Sequence, residues 1–95
     1  MFAIDWQDDG SVRLEGRLDA ASAPVAREFL GAVQGTCRLD FTRLDYIASA
    51  GLGILIAAQR RLREGGGDGL VLAGLSPHLR EVLSLAGFEG IFVFE

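Results

Sequence analysis

The run Leu70-Val71-Leu72-Ala73, preceded by Gly65-Gly66-Gly67-Asp68-Gly69 and followed closely by Ser76-Pro77, decides the fold. Four apolar residues without a polar break read as a strand covered on both faces, the habit of parallel sheets. The glycine run stops whatever precedes that strand. Ser76 then offers a helix cap, with proline at the first helical position. Leu79, Val82, Leu83 and Ala86 predict the inner face of a helix that Gly87 closes. A strand between two helical segments is a repeating unit of α/β architecture.

The pattern repeats outward from this point. Upstream, a helix is expected from about Ser49, with Leu52, Leu55, Ile56, Gln59 and Leu62 on its inner face and Arg60, Arg61, Arg63 and Glu64 on the other. Before it, Cys37, Leu39 and Phe41 alternate as a strand. Val25, Phe29 and Val33, widened by Ala26 and Leu30, predict a helix that Ser22 caps, Pro24 starts and Gly35 ends. Phe2, Ile4 and Trp6 alternate, turn at Asp8-Asp9-Gly10, and continue in Val12, Leu14 and Leu18 as a hairpin with one face toward water. Downstream, Ile91 to Phe94 reads as the last strand. The expectation is one α/β domain over residues 1–95, a mostly parallel mixed sheet of about five strands with three helices and the first strand antiparallel.

Composition excludes many functions. A chain of 95 residues should expose ~5,300 Å² when folded and bury about two-thirds of its surface, enough for a core without staples. Cys37 is alone, so no disulfide forms within the chain, and its apolar neighbours mark it as a small core residue. Together with the absence of a charged-then-apolar leader, this points to a cytoplasmic protein. The low-polarity stretch from Tyr46 to Ala58 falls short of the ~20 residues that cross a bilayer, so no membrane insertion is expected. Nine arginines face 13 acids, a net charge of −4, and no nucleic-acid partner is expected from that balance.

Catalytic chemistry lacks its parts. His78 is the only histidine, and its place after Pro77 makes it an exposed first-turn residue. A buried thiol and one surface imidazole do not assemble a nucleophile, base and orienting group. The glycines at 65–69 have no following Lys-Ser/Thr and lead into a strand, whereas a phosphate loop leads into a helix. The reading is not an enzyme, with no cofactor and no metal.

One stretch stands out, Leu44-Asp45-Tyr46-Ile47-Ala48-Ser49-Ala50-Gly51-Leu52-Gly53. A serine at a helix N-terminus can be an ordinary cap. Yet two glycines in that first turn cost roughly 1 kcal/mol each relative to alanine, which suggests close approach by a backbone or a partner. Small neighbours leave the hydroxyl accessible. A helix N-terminus favours an anion there, so Ser49 is a candidate phosphorylation site.

Three segments in order resemble the STAS domain family and, within it, the bacterial anti-sigma factor antagonists. They are Gly16-Arg17-Leu18-Asp19, Ile47-Ala48-Ser49-Ala50-Gly51-Leu52-Gly53, and Leu75-Ser76-Pro77-His78-Leu79-Arg80-Glu81-Val82-Leu83 with Ala86-Gly87-Phe88. The resemblance implies a regulator that binds an anti-sigma factor with serine kinase activity and is switched off by phosphorylation at Ser49, with a phosphatase to reset it. It places Asp19 beside the loop and makes Asp19, Ala48, Ser49, Ala50, Gly51, Leu52 and Gly53 partner-binding residues. Relatives often carry Asp before the phosphoserine and Ser or Thr after it, where this chain has Ala48 and Ala50. Many also carry a further helix after the last strand, so Phe92 and Phe94 are expected to be uncovered and available to a partner or a homodimer. These departures favour an alternative, a non-phosphorylated STAS subunit of a lipid transporter's ATPase or a signalling assembly.

Overall fold

The hairpin turn sets the first edge of the sheet in the computed structural model, which describes residues 1–95. Asp9 Oδ1 accepts from the amide and hydroxyl of Ser11 at 2.9 and 2.6 Å. Gly10 reverses the chain at φ +87°, a conformation that suits glycine. The reversal joins β1 (Phe2–Trp6) to β2 (Val12–Leu18), which pair antiparallel with Ile4 opposite Leu14. The chain continues through α1 (Ala23–Gly31), β3 (Cys37–Ile47), α2 (Ser49–Glu64), β4 (Leu70–Ala73), α3 (Pro77–Leu85) and β5 (Val93–Phe94). A short 3-10 turn at Phe88–Gly90 lies between α3 and β5. The sheet order is β1-β2-β3-β4-β5, parallel from β2 onward. Fold class, strand number, helix number and the antiparallel first strand all agree with the sequence reading.

Each crossover from β2 to β5 steps one strand in the same direction. Right-handed connections that always step the same way leave all three helices on one face. The other face is open, which corrects the reading of Leu70–Ala73 as covered on both sides. Leu70 and Leu72 are fully buried, but Val71 is only half-buried, opposite Arg38 on β3 and Val93 on β5. Charged residues occupy the open face, where Asp5 meets Arg13 at 3.8 Å and Glu15 meets Arg43 at 4.0 Å. Arg38 meets Glu95 at 2.7 Å. Exposed pairs of this kind contribute little to stability. They do keep the uncovered sheet wet.

β3 runs well past Phe41, where the strict alternation of apolar residues ends. Its buried residues are Cys37, Leu39, Phe41, Leu44 and Ile47, so the spacing lengthens from two to three. Pairing with β2 accounts for this, since the register shifts between Arg13/Glu15 and again between Gly16/Arg17, each adding one residue on β3. Such bulges turn the next side chain back toward the core.

The helix faces need correction too. α1 buries Ala23, Ala26 and Leu30, while Val25 is 56% exposed and Phe29 lies at the rim with its ring 5.7 Å from that of Trp6. Alanines let this helix lie close to the sheet, so the larger i, i+4 pair is pushed to its edge. α1 also ends at Gly31, before Gly35, where Arg61 Nη2 donates to the carbonyls of Leu30 and Val33 at 2.8 and 2.5 Å. In α2 the buried line is Gly51, Ile54, Leu55, Ala58, Gln59 and Leu62, and Leu52 and Ile56 are half-buried beside it. Gln59 Oε1 accepts from Leu70 N at 2.6 Å and its Nε2 donates to Ile91 O at 2.7 Å, so a buried amide ties α2 to both ends of the β4–β5 unit.

At α3 the cap holds as read, with Ser76 Oγ accepting from Leu79 N at 3.1 Å. Ala86 is exposed because the helix stops at Leu85, and Phe88 takes the inner position instead. Only Val93 and Phe94 form the last strand. Phe92 is buried and Phe94 half-buried under Arg80, whose guanidinium carbon lies 5.1 Å from the ring centre. The apolar side chains left outside at this edge are Leu85, Ile91 and Val93, not the expected phenylalanines. No helix is long and apolar enough to cross a membrane.

Candidate functional site

The site forms where β2 ends and α2 begins. Leu18 O accepts from Ala48 N at 2.8 Å, extending the β2–β3 pairing of Leu18 with Ile47 by one bond. The next residue on each chain, Asp19 and Ser49, therefore emerges at the same end of the sheet. α2 starts immediately, with Leu52 N donating to Ala48 O at 3.0 Å.

Ser49 is not the cap. Ala48 holds that position with extended backbone (φ −97°, ψ 171°), and no side chain caps the helix. Ser49 is the first helical residue and is exposed, as is Ala50. The first-turn amides of α2 thus open toward solvent beside an exposed hydroxyl, a setting that favours an anion.

The two glycines have different reasons. Gly51 is buried, and a Cβ there would stand 2.6 Å from Leu18 Cγ and 3.0 Å from Ile47 Cγ1. The close approach expected at Gly51 is made by the chain's own core. At Gly53, which is exposed, a Cβ would meet nothing within 4 Å. Leu52 is half-buried, as is Ala48.

Asp19 belongs to the entry of α1. Its Oδ1 accepts from the amides of Ala21 and Ser22 at 3.1 and 3.2 Å, and its own amide donates to Ser22 Oγ at 3.0 Å. Ser22 Oγ donates onward to Arg17 O at 2.8 Å. The acid therefore organises the turn that the sequence reading gave to Ser22 as cap. The backbone amide of Ser22, then its hydroxyl and the amide of Ala21, hold the Asp19 carboxyl below its usual range. It keeps its charge at the end of β2.

Two neighbours escaped the sequence reading. Arg17 pairs with Asp19 at 3.9 Å, and its guanidinium carbon lies 4.3 Å from the centre of the Tyr46 ring. Arg17 and Tyr46 are register partners on β2 and β3. Only the register, which the bulges hide, could have joined them in advance. The remaining reactive side chains are elsewhere: Cys37 is buried, with burial pushing its thiol up, and His78 is exposed on α3.

The site is thus an exposed serine at the first turn of the second helix of a one-sided α/β sheet. The family described as Mlab, STAS domain, matches residues 2–94, and the chain belongs to the STAS family. It is 42% identical over 83 residues to BtrV of Bordetella bronchiseptica, a proposed anti-sigma factor antagonist, covering 83% of this chain and 71% of that protein. The anti-sigma-B factor antagonist of Listeria monocytogenes is 33% identical over 88 residues, covering 88% of this chain and 76% of the relative. Among solved structures, the anti-sigma factor antagonist SpoIIAA in its unphosphorylated form superposes with a TM-score of 0.69 at 25% identity, covering 100% of this chain and 87% of SpoIIAA.

Proposed function

We propose that the chain is an anti-sigma factor antagonist, a binding module that engages an anti-sigma factor with serine kinase activity and is released when that kinase phosphorylates Ser49. The observation that carries the reading is the exposed Ser49 on an uncapped helix N-terminus, at the same end of the sheet as Asp19. Its relatives bear the name of antagonist, and SpoIIAA exists in unphosphorylated and phosphorylated forms. A phosphate brings ~−1.5 to −2 charges to the contact surface. Against a partner carboxylate ~5 Å away, each unit costs roughly 3 kcal/mol at an effective dielectric of ~20 before screening. About 3 kcal/mol exceeds a hundredfold in affinity, so no change of fold is required. A phosphatase resets the switch, and the setting is the cytoplasm, where the kinase finds ATP.

The test is intact mass after incubation with ATP and an extract of the native organism, for wild type and Ser49→Ala in parallel. One phosphate on the wild type and none on the variant supports the switch. With the extract shown to phosphorylate other proteins, an unmodified wild type turns the reading to a constitutive STAS subunit of a larger assembly. Ala48 and Ala50, which give a kinase no polar flank, favour that second reading.

A further inference from the structure

Ala50, the residue after Ser49, lines a groove that extends away from the serine between two helices. α1 and α2 lie side by side and enclose a cavity of about 370 Å³ between them. Leu30 lies at its base, Ala50, Gly53 and Ala57 form the α2 wall, and Arg27 and Arg61 stand along it. The three small residues follow an i, i+3, i+7 line along one helix face and are exposed. Glycine inside a helix is destabilising relative to alanine, and nothing within the chain's own packing requires it at Gly53. A large side chain there would instead fill the groove.

Charge indicates the occupant. The chain as a whole carries −4, yet the residues lining this groove include two arginines and no acid. The ion pairs of the fold use Arg13, Arg17, Arg38 and Arg43, which leaves Arg27 uncommitted. Arg61 is held in place by the carbonyls of Leu30 and Val33. We propose that the groove seats an acidic amphipathic helix of the partner protein, its small apolar face on Ala50, Gly53 and Ala57 and its carboxylates toward Arg27 and Arg61. A helix laid in a groove is a recurrent recognition mode, and a wall of small residues lets its backbone come close. The partner's identity as the kinase rests on the Ser49 reading; the groove does not. Ala50 directly follows Ser49, so a phosphate there sets negative charge against an acidic occupant, the sign that release requires.

The probe is a labelled helical peptide of about 15 residues in two versions, one with glutamates and one with lysines flanking the same alanine-rich face. The glutamate version should bind saturably, shifting the amide resonances of Ala50, Gly53 and Ala57. Arg27→Glu should weaken it by about tenfold or more, since a rim charge is reversed, and Ser49→Asp should weaken it as well. Gly53→Leu should abolish binding without lowering the melting temperature. Equal binding of the lysine version, shifts confined to another surface, indifference to Arg27→Glu, no saturable binding, or occupation of the groove by a second copy of this chain would each overturn the proposal. Phosphorylation of Ser49 without peptide binding defeats the groove alone. Peptide binding without phosphorylation keeps the groove and defeats the switch.

Discussion

Gly51 and Leu18 occupy one another's space, because a Cβ on the glycine would come within 2.6 Å of Leu18 Cγ and 2.9 Å of its Cδ2. Leu18 is fully buried at the end of β2, so it has nowhere to move. The first turn of α2 rests on the core at this point, and that contact fixes where the exposed serine stands relative to Asp19.

Gly51→Ala and Gly53→Ala should therefore change stability in opposite directions. Alanine gains about 1 kcal/mol of helix propensity at either site. At Gly51 the overpacking costs ~1–3 kcal/mol, so the variant is expected to be the less stable by about 1 kcal/mol. At Gly53 the space is open and the full gain remains. Urea denaturation of the two variants against wild type checks this, and a stabilised Gly51→Ala would refute the packing argument.

Capping at α2 gives a second expectation. Ser49→Ala should leave stability within about 0.5 kcal/mol, as for a surface change, since Ser49 is the first helical residue and not its cap. Ala48→Asp should stabilise by about 1 kcal/mol by placing an acceptor at the capping position. Thermal melts decide it: a shift of about 4–8 °C per kcal/mol is large enough to resolve in a domain of this size.

The buried amide of Gln59 is more demanding. Gln59→Leu strands the amide of Leu70 and the carbonyl of Ile91 and should cost ~2–4 kcal/mol, about the penalty for two unsatisfied groups. Gln59→Glu keeps the bond from Leu70 but turns a carboxylate oxygen on the Ile91 carbonyl unless it is protonated. Its acid should titrate above the usual range in the folded state, so the variant matches wild type at low pH and loses stability as pH rises through the unfolded value near 4.3. Stability differences between variant and wild type, measured from pH 4 to 7, test the sign.

Acid should weaken the wild-type chain through three aspartates. The hydroxyl and amide of Ser11 hold Asp9 down, and the amide of Ser22 leads in doing so at Asp19. At Asp40 burial works upward, but the hydroxyl and amide of Thr42 and the side chain of Gln7 outweigh it. Folded values below unfolded ones mean stability is present above about pH 4 and falls as pH drops through the folded values. Asp19→Asn and Asp40→Asn together should flatten the melting-temperature profile in that range. An unchanged slope would place the acid sensitivity elsewhere.

Much of this was legible in the residues, for reasons that differ by element. Ser76-Pro77 and Asp9-Gly10 act through their own backbone chemistry and needed no tertiary information. Leu70–Ala73 announced a strand but not that one face would carry no helix, since the covering depends on the direction in which successive crossovers step. The far half of β3 was hidden because Arg43, Asp45 and Tyr46 fill the outward positions that two bulges create. In α1 the alanines that pack deepest carry a weaker signal than Val25 and Phe29, which lie outside. Ser49 was legible as the start of α2, but not that Ala48, without a capping side chain, would hold the position before it.

The division of labour between the two glycines bears on how duplicated copies of such a gene can diverge. Gly51 is locked to Leu18, so drift at either position must be matched by the other. Ala50, Gly53 and Ala57 touch no such constraint and can change one at a time without unsettling the fold. On the proposed groove, paralogues sharing a cell acquire separate partners, and avoid crosstalk, by rewriting a few side chains on one helix face while the scaffold that displays the serine stays as it is.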